Sequence, residues 1–462
     1  MRQNSSFQDM NISDLHMGEV LSALSHALDL TEGQPPGHCM RVAYIGTAIG
    51  AELGIADEQA TDLFYTLMLK DLGCSSNAAR ICQLFLTDDI NFKQNQKIAG
   101  TSIQQSLAFL MKNAAPNESF ARRLKVVAGF LKDTDAVTKD LFETRCQQGH
   151  DIALSMGFSE DVANGIACLD EHWDGGGHPI GAGGDDIPLF SQIALISQVI
   201  DVFNTSSGKE AALREINDRS GKWFAPDLVE VAKSMGDGHT FWDGLNRPDL
   251  GQRLLASQFG QGKRPMTDEA LDRIVDGFAK VIDAKSPFTH GHSTRVALYS
   301  DLLAEAYGYD DARRKWLQRT ALLHDIGKLG ISNKILDKPG GLSKEEYASV
   351  KQHPVLSEQI LSRVTAFQPL ARIALAHHER LDGKGYPHGI DAADLSLDMR
   401  ILTVADIFDA LSADRPYRKA LPLKQAFTIM DKMCGSALDG EVVRHLKDAI
   451  AGSPALEFAA SA

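Results

Sequence analysis

The chain has 462 residues, 44% hydrophobic and 23% charged, which is enough for two or three domains with real cores and excludes disorder as its main state. Its 61 acidic residues outnumber 47 Lys and Arg, and the net charge of −14 argues against wholesale binding to nucleic acid or to an anionic membrane. A small anionic ligand held by a local basic cluster stays open. Six scattered cysteines (Cys39, Cys74, Cys82, Cys146, Cys168, Cys434) form no CxxC pair and read as reduced thiols. The opening MRQNSSFQDMNISD lacks the apolar core of a signal peptide, and no apolar run reaches the length of a membrane span. The expectation is a cytoplasmic protein with no membrane or nucleic-acid polymer as partner.

In chain order the punctuation is helical and period-2 alternation is scarce, so the sequence predicts an all-α fold. The first half carries GHCMRVA at Gly37–Ala43, LMLKDLGC at Leu67–Cys74, EHWDGGGHP at Glu171–Pro179 and IDVF at Ile200–Phe203. GQGKRP at Gly260–Pro265 is the linker candidate. From Thr267 to Lys285, Leu271, Ile274, Val275, Phe278 and Ile282 form one apolar stripe behind a Thr267 or Asp268 cap.

The second half then repeats the first. GHSTRVA at Gly291–Ala297, LLHDIGK at Leu322–Lys328, ERLDGKGYP at Glu379–Pro387 and ADIF at Ala405–Phe408 echo the earlier segments in the same order. His38 to Asp71 spans 33 positions, as does His292 to Asp325; Arg145 to Leu169 spans 24, as does His353 to His377. Conserved order and spacing mark a tandem duplication, with extra sequence in the first copy between Asp71 and Arg145. The domains are expected at 1–262 and 263–462.

The second copy collects seven metal-ligand types: His292, His324, Asp325, His353, His377, His378 and Asp406. Leu370, Ile373, Ala374, His377 and His378 continue one helical stripe, which turns both histidines to the core. Asp406 is embedded in ILTVADIF, and His324 and Asp325 close the apolar run TALL. A single buried histidine is ordinarily a satisfied core residue. Two adjacent pairs, an embedded aspartate and two outlying histidines are too many for one ion and fit two. Imidazole and carboxylate without thiolate suit iron, manganese, nickel or zinc in a reactive site. Lys328, at i+4 from His324 and i+3 from Asp325, places an ammonium beside the cations, which is tolerable when a phosphate joins them. Arg415 and Arg418 in DRPYRKA follow Asp406 closely enough to hold a second phosphate.

With GHSTRV, LLHDIGK, QHP, HHERLDGKGYP, RILTVADIFDAL and RPYRKA in order, the stretch from Thr267 to Gly440 resembles the HD-GYP family of the HD phosphohydrolase superfamily. The resemblance implies two tandem HD-type helical bundles and hydrolysis of cyclic di-GMP or 3′3′-cyclic GMP-AMP to a linear dinucleotide. It also implies divalent ions, commonly iron or manganese, bound by the seven residues with Asp325 as bridge. Attack by a metal-bridging hydroxide would follow, with Lys328 on the scissile phosphate and Arg415, Arg418 and Tyr386 as further substrate contacts. Family members with a third metal carry a glutamate where this chain has Phe288, so two ions are expected. Water, Lys328 or Glu379 is the candidate general acid; His290 and His388 are read as bystanders.

In the first copy the same alignment retains His38, Asp71 and Asp201. It replaces His324 by Lys70, His353 by Arg145, His377 by Leu169, His378 by Asp170 and Lys328 by Cys74. This copy is expected to keep the fold without catalysis, in contact with the second domain, and to act as a regulatory module that binds a ligand or positions that domain. The competing readings are a module that binds a cyclic dinucleotide without turnover, and an HD-type hydrolase of another nucleotide.

Overall fold

A computed structural model describes residues 15–99, 103–235, 239–257, 266–414 and 418–452, and the linker candidate Gly260–Pro265 lies outside them. The described residues form α-helices and short 3-10 turns without a β-strand. None of these helices is long and apolar enough to cross a membrane. Contacts divide the chain into two compact units, one at Ser13–Arg273 and one built on Ile274–Ala462. The striped segment forms helix Asp268–Ala284, with Leu271, Ile274, Val275 and Phe278 fully buried.

In the C-terminal unit, helices His292–Ala306, Asp311–Leu323 and Leu397–Ser412 pack around Val296, Leu303, Leu317, Ile401, Val404 and Phe408. Local chemistry sets where they begin. Asp310 accepts from the Arg313 amide and Ser396 from the Met399 amide, and Ser343 with Glu346 forms a capping box. Gly291, at φ +68°, supplies the left-handed turn that lets His292 start its helix. His324 ends the helix Asp311–Leu323, and Asp325 opens the 3-10 turn Ile326–Gly330. Gly327 lets that turn meet helix His353–Leu361 backbone to backbone, since a Cβ there would lie 2.0 Å from the His353 carbonyl oxygen. The helix that the stripe extends through His378 ends instead at Ala376, so His377 and His378 sit in the turn beyond Gln368–Ala376.

The N-terminal unit repeats these devices. Gly37 is left-handed ahead of helix His38–Glu52, and a Cβ on Gly73 would lie 1.9 Å from the Arg145 carbonyl oxygen. Its extra sequence forms the helices Ala78–Phe85, Asp89–Lys97, Ile103–Asn113 and Phe120–Lys132. They share a small core of Ile81, Phe85, Phe92, Leu110 and Val127, with the Phe85 and Phe92 rings stacked at 4.5 Å.

Candidate metal centre

Asp325 is the centre of the cluster. Its Oδ2 lies 3.4 Å from Nε2 of both His292 and His324; its Oδ1 lies 3.4 Å from His353 Nε2 and 3.6 Å from His377 Nε2. These five residues are at most 1% exposed, and Asp406, 3.5 Å from His292 Nε2, is nearly as buried. His353, His377 and His378 place their ligand atoms within 4.8 Å of one another, as do His292, His324 and Asp406. The seven residues thus fall into two triads on either side of one shared carboxylate.

The second partner of each ring fixes its proton. His324, His353 and His377 each point Nδ1 at a backbone carbonyl, that of Ala321 at 2.7 Å, Val350 at 2.7 Å and Ala374 at 2.5 Å. A carbonyl only accepts, so Nδ1 carries the hydrogen and Nε2 presents a lone pair. The Nε2 atoms of His353 and His377 then face each other at 3.2 Å, lone pair to lone pair. His292 Nε2, His324 Nε2 and Asp325 Oδ1 are buried without a hydrogen-bond partner. Such atoms are costly in a protein interior unless a cation meets them, and the donor set fits divalent metal ions.

The electrostatics agree for Asp325, His353, His377 and His378. Burial would raise the Asp325 carboxyl, but the surrounding His324, Lys328 and His292 hold it well below the usual carboxylate range. Burial and the neighbouring positive groups push His353 and His378 well down, and burial with His324 brings His377 to about 4, so all three rings are neutral at pH 7. Burial also opposes protonation of His292, but Asp325, Asp409 and Asp406 outweigh it and lift the ring to about 9.

Lys328 donates Nζ to Asp325 Oδ2 and keeps its side chain 20% exposed, at the edge of the cluster. Tyr386 stacks on His378 at 4.8 Å. Glu379 uses Oε1 to accept the amides of His388 and Gly389, so it ties down the loop that follows the GYP turn. Arg418 donates to the Ala410 and Leu411 carbonyls at the end of the helix that carries Asp406. Arg415 lies outside the described residues. His290 and His388 are exposed.

Asp409 escaped the sequence reading. Fully buried, it accepts from His292 Nδ1 at 2.7 Å and pairs with Arg295 at 2.5 Å, which orients the ring and directs its Nε2 inward. The signal was available: Asp409 is three residues beyond Asp406 on one helix, and Arg295 is three beyond His292.

The same pair corrects the alignment of the first copy. Asp201 accepts from His38 Nδ1 at 2.7 Å and pairs with Arg41 at 2.6 Å, which is the arrangement of Asp409, not of Asp406. Glu171 and Glu379 differ by 208 positions, and carrying that offset forward without a gap sets Asp201 on Asp409 and Gln198 on Asp406. The IDVF and ADIF match is a three-residue misregistration between two similar apolar helix segments. The first copy therefore retains only His38 and Asp71 of the seven positions.

Around Asp71, ammonium groups stand where the second copy has imidazoles. Lys70 donates to Asp71 Oδ2, and Lys97 lies 3.9 Å from Asp71 Oδ1 and 2.9 Å from Glu32. Lys93 lies 3.3 Å from Glu32, and Arg145 pairs with Asp170. Burial opposes ionisation of Asp71, but Lys70 and Lys97 hold its carboxyl far below the ordinary range.

A bundle of helices that converges histidines and aspartates on one buried carboxylate defines the HD class, whose phosphohydrolases are metal-dependent. The HD domain family model matches residues 277–442, the second copy. Over 434 residues, 94% of each chain, the protein is 49% identical to 3′3′-cGAMP-specific phosphodiesterase 3 of Vibrio cholerae. It is 43% identical to a cyclic di-GMP phosphodiesterase of Thermotoga maritima over 34% of this chain and 43% of that one. The crystal structure of a cyclic GMP-AMP-specific phosphodiesterase of V. cholerae, V-cGAP3, matches with a TM-score of 0.65 at 44% identity over 95% of this chain and 98% of the other. The chain belongs to the HD-GYP family of cyclic-dinucleotide phosphodiesterases.

Proposed function

We propose that the C-terminal unit hydrolyses 3′3′-cyclic GMP-AMP in preference to cyclic di-GMP and releases a linear dinucleotide. Phosphodiesterase action on cyclic dinucleotides is what the family does. The preference is supported by likeness along nearly the whole chain to a relative named for 3′3′-cGAMP, against a shorter match to one named for cyclic di-GMP. The observation that carries the catalytic reading is Asp325, with two ring nitrogens facing each of its oxygens.

On this reading His292, His324 and Asp406 on one side and His353, His377 and His378 on the other, with Asp325 between them, would hold two divalent ions, iron or manganese. Ions in such a ligand set supply Lewis acidity and make bound water a nucleophile near neutral pH. Phe288 stands where a third-metal glutamate would, which favours two ions. Lys328 Nζ, already on Asp325 and partly open, offers its positive charge to a phosphoryl oxygen as charge grows there. With Glu379 holding the loop, the proton for the leaving 3′ oxygen comes from water or Lys328. Tyr386 borders the pocket, and Arg415 and Arg418 follow the Asp406 helix as candidate contacts of the second phosphate. Residues 1–262 form a degenerate, non-catalytic domain with a regulatory role, and residues 263–462 the catalytic one. The lysines around Asp71 support that division.

The test is turnover by protein loaded anaerobically with iron or manganese, incubated with each dinucleotide in turn. Faster linearisation of cyclic GMP-AMP is expected, with activity lost on chelation and restored on reloading, and elemental analysis giving two ions per chain. Tight binding of either dinucleotide without cleavage would make the protein a sensor; equal rates would remove the preference.

A further inference from the structure

Next to the metal centre a line of rings runs outward. The His377 and His378 rings lie 4.1 Å apart, His378 stacks on Tyr386 at 4.8 Å, and Tyr386 meets the edge of Tyr347 at 6.2 Å. The first members are buried or half-buried, whereas Tyr347, on the short helix Lys344–Val350, is 46% exposed. Lys351 sets its ammonium 4.7 Å from the Tyr347 centroid and 5.2 Å from that of Tyr386, which braces the two rings.

The bundle itself does not require this pair. At the 208-residue offset the first copy has Lys139 for Tyr347 and Glu143 for Lys351, and these form an exposed ion pair at 3.5 Å, an ordinary i,i+4 surface contact. The first copy does stack a ring on the counterpart of Tyr386, Phe142 on His178 at 4.7 Å with the Arg145 guanidinium 5.0 Å from the Phe142 centroid, but it sets no tyrosine at the exposed outer position that Tyr347 fills.

We propose that Tyr347, braced by Lys351, is a nucleobase subsite that stacks one purine of the cyclic dinucleotide while its phosphate lies at Asp325 and Lys328. The inference rests on the phosphodiesterase reading above. A purine offers a π-face to an open tyrosine ring whatever its hydrogen-bonding edge, so this contact contributes affinity and leaves discrimination between guanine and adenine to other groups. Lys351, once its tyrosines are covered, stays close enough to the base to be desolvated with it.

The experiment is steady-state kinetics of the full-length, metal-loaded protein on 3′3′-cyclic GMP-AMP and cyclic di-GMP. Tyr347→Ala is expected to raise KM roughly tenfold for both while kcat changes by less than about threefold. Tyr347→Phe, which keeps the ring, is expected to stay within about twofold of the unmodified protein. An unchanged KM in Tyr347→Ala, or an equal loss in Tyr347→Phe, overturns the stacking subsite and leaves the enzyme reading standing. An unmodified protein that turns over neither dinucleotide overturns the enzyme reading, and the subsite with it.

Discussion

Asp325 and Asp71 occupy the same position in two copies of one bundle, each buried to about 1% exposure. Around Asp325 the neighbours are the imidazoles of His292, His324, His353 and His377, with Lys328 at the edge, a donor set that fits metal ions. Around Asp71 they are Lys70 and Lys97, with Lys93 and Glu32 behind them, and the positive charge is covalently part of the chain. A buried carboxylate must be neutralised in either case. A helix inserted in the first copy, Asp89–Lys97, brings two of these ammonium groups, so the sequence added to that copy serves the charge balance that lost ligands would otherwise upset. The same buried position is thus held by ring nitrogens in one copy and by fixed ammonium groups in the other.

That contrast is breakable by paired substitutions. Asp325→Asn should lower kcat by more than about 100-fold, beyond what loss of an outer partner of a metal ligand costs, with metal content falling in parallel. Asp71→Asn should instead strand the buried Lys70 ammonium, with Lys97 left on Glu32, and destabilise the N-terminal unit by roughly 3–5 kcal/mol, read from denaturant unfolding, while the metal content of the chain stays the same. Loss of bound metal in Asp71→Asn would mean that the two sites are not the separate things described above.

Acid sharpens the same comparison more mildly. Burial would raise the Glu32 carboxyl, but Lys97 and Lys93 bring it from an ordinary 4.5 to about 2. A carboxyl depressed in the folded state contributes stability above its unfolded value and loses it as the pH falls through the folded one. The N-terminal unit should therefore lose about 3 kcal/mol between roughly pH 5 and pH 2 through this group. Lys97→Met should flatten that loss in a pH series of denaturant midpoints; an unaltered slope would count against the ion cluster.

The smallest effect concerns the helix that carries Asp406. Ser396→Ala removes the side-chain cap on the Met399 amide and should cost about 1 kcal/mol, seen as a lower thermal midpoint, with the number of bound ions unchanged. In the first copy the corresponding helix starts behind Pro188 without a side-chain cap, so it has no such contribution to lose.

Much of this was legible in the chain because it rests on local period and on residue type. The stripe Leu271, Ile274, Val275, Phe278 forms its helix, and the HD and HH pairs stand at helix ends, where apolar periodicity stops. Asp201 matches Asp406 in a motif comparison because two apolar helix segments look alike when slid by nearly one turn; the gap-free offset from Glu171 and the bonds to His38 and Arg41 set it on Asp409. Asp409 was overlooked because an aspartate that orients a ring looks no different in sequence from one that binds a metal. Lys93 and Lys97 were invisible as neighbours of Asp71, since nothing local says where an inserted helix will put its side chains.

The sequence by itself determined the all-α class, the duplication, and the set of groups able to bind metal, because these depend on spacing along a chain whose helical geometry is fixed. Tertiary structure decided on which aspartate the histidines converge, which aspartate orients His292, and that the Lys97 ammonium joins the first copy's cluster. Those outcomes depend on distances between residues far apart in the chain, 26 positions from Asp71 to Lys97 and 117 from His292 to Asp409, and such distances are set by how the helices pack and not by any one of them.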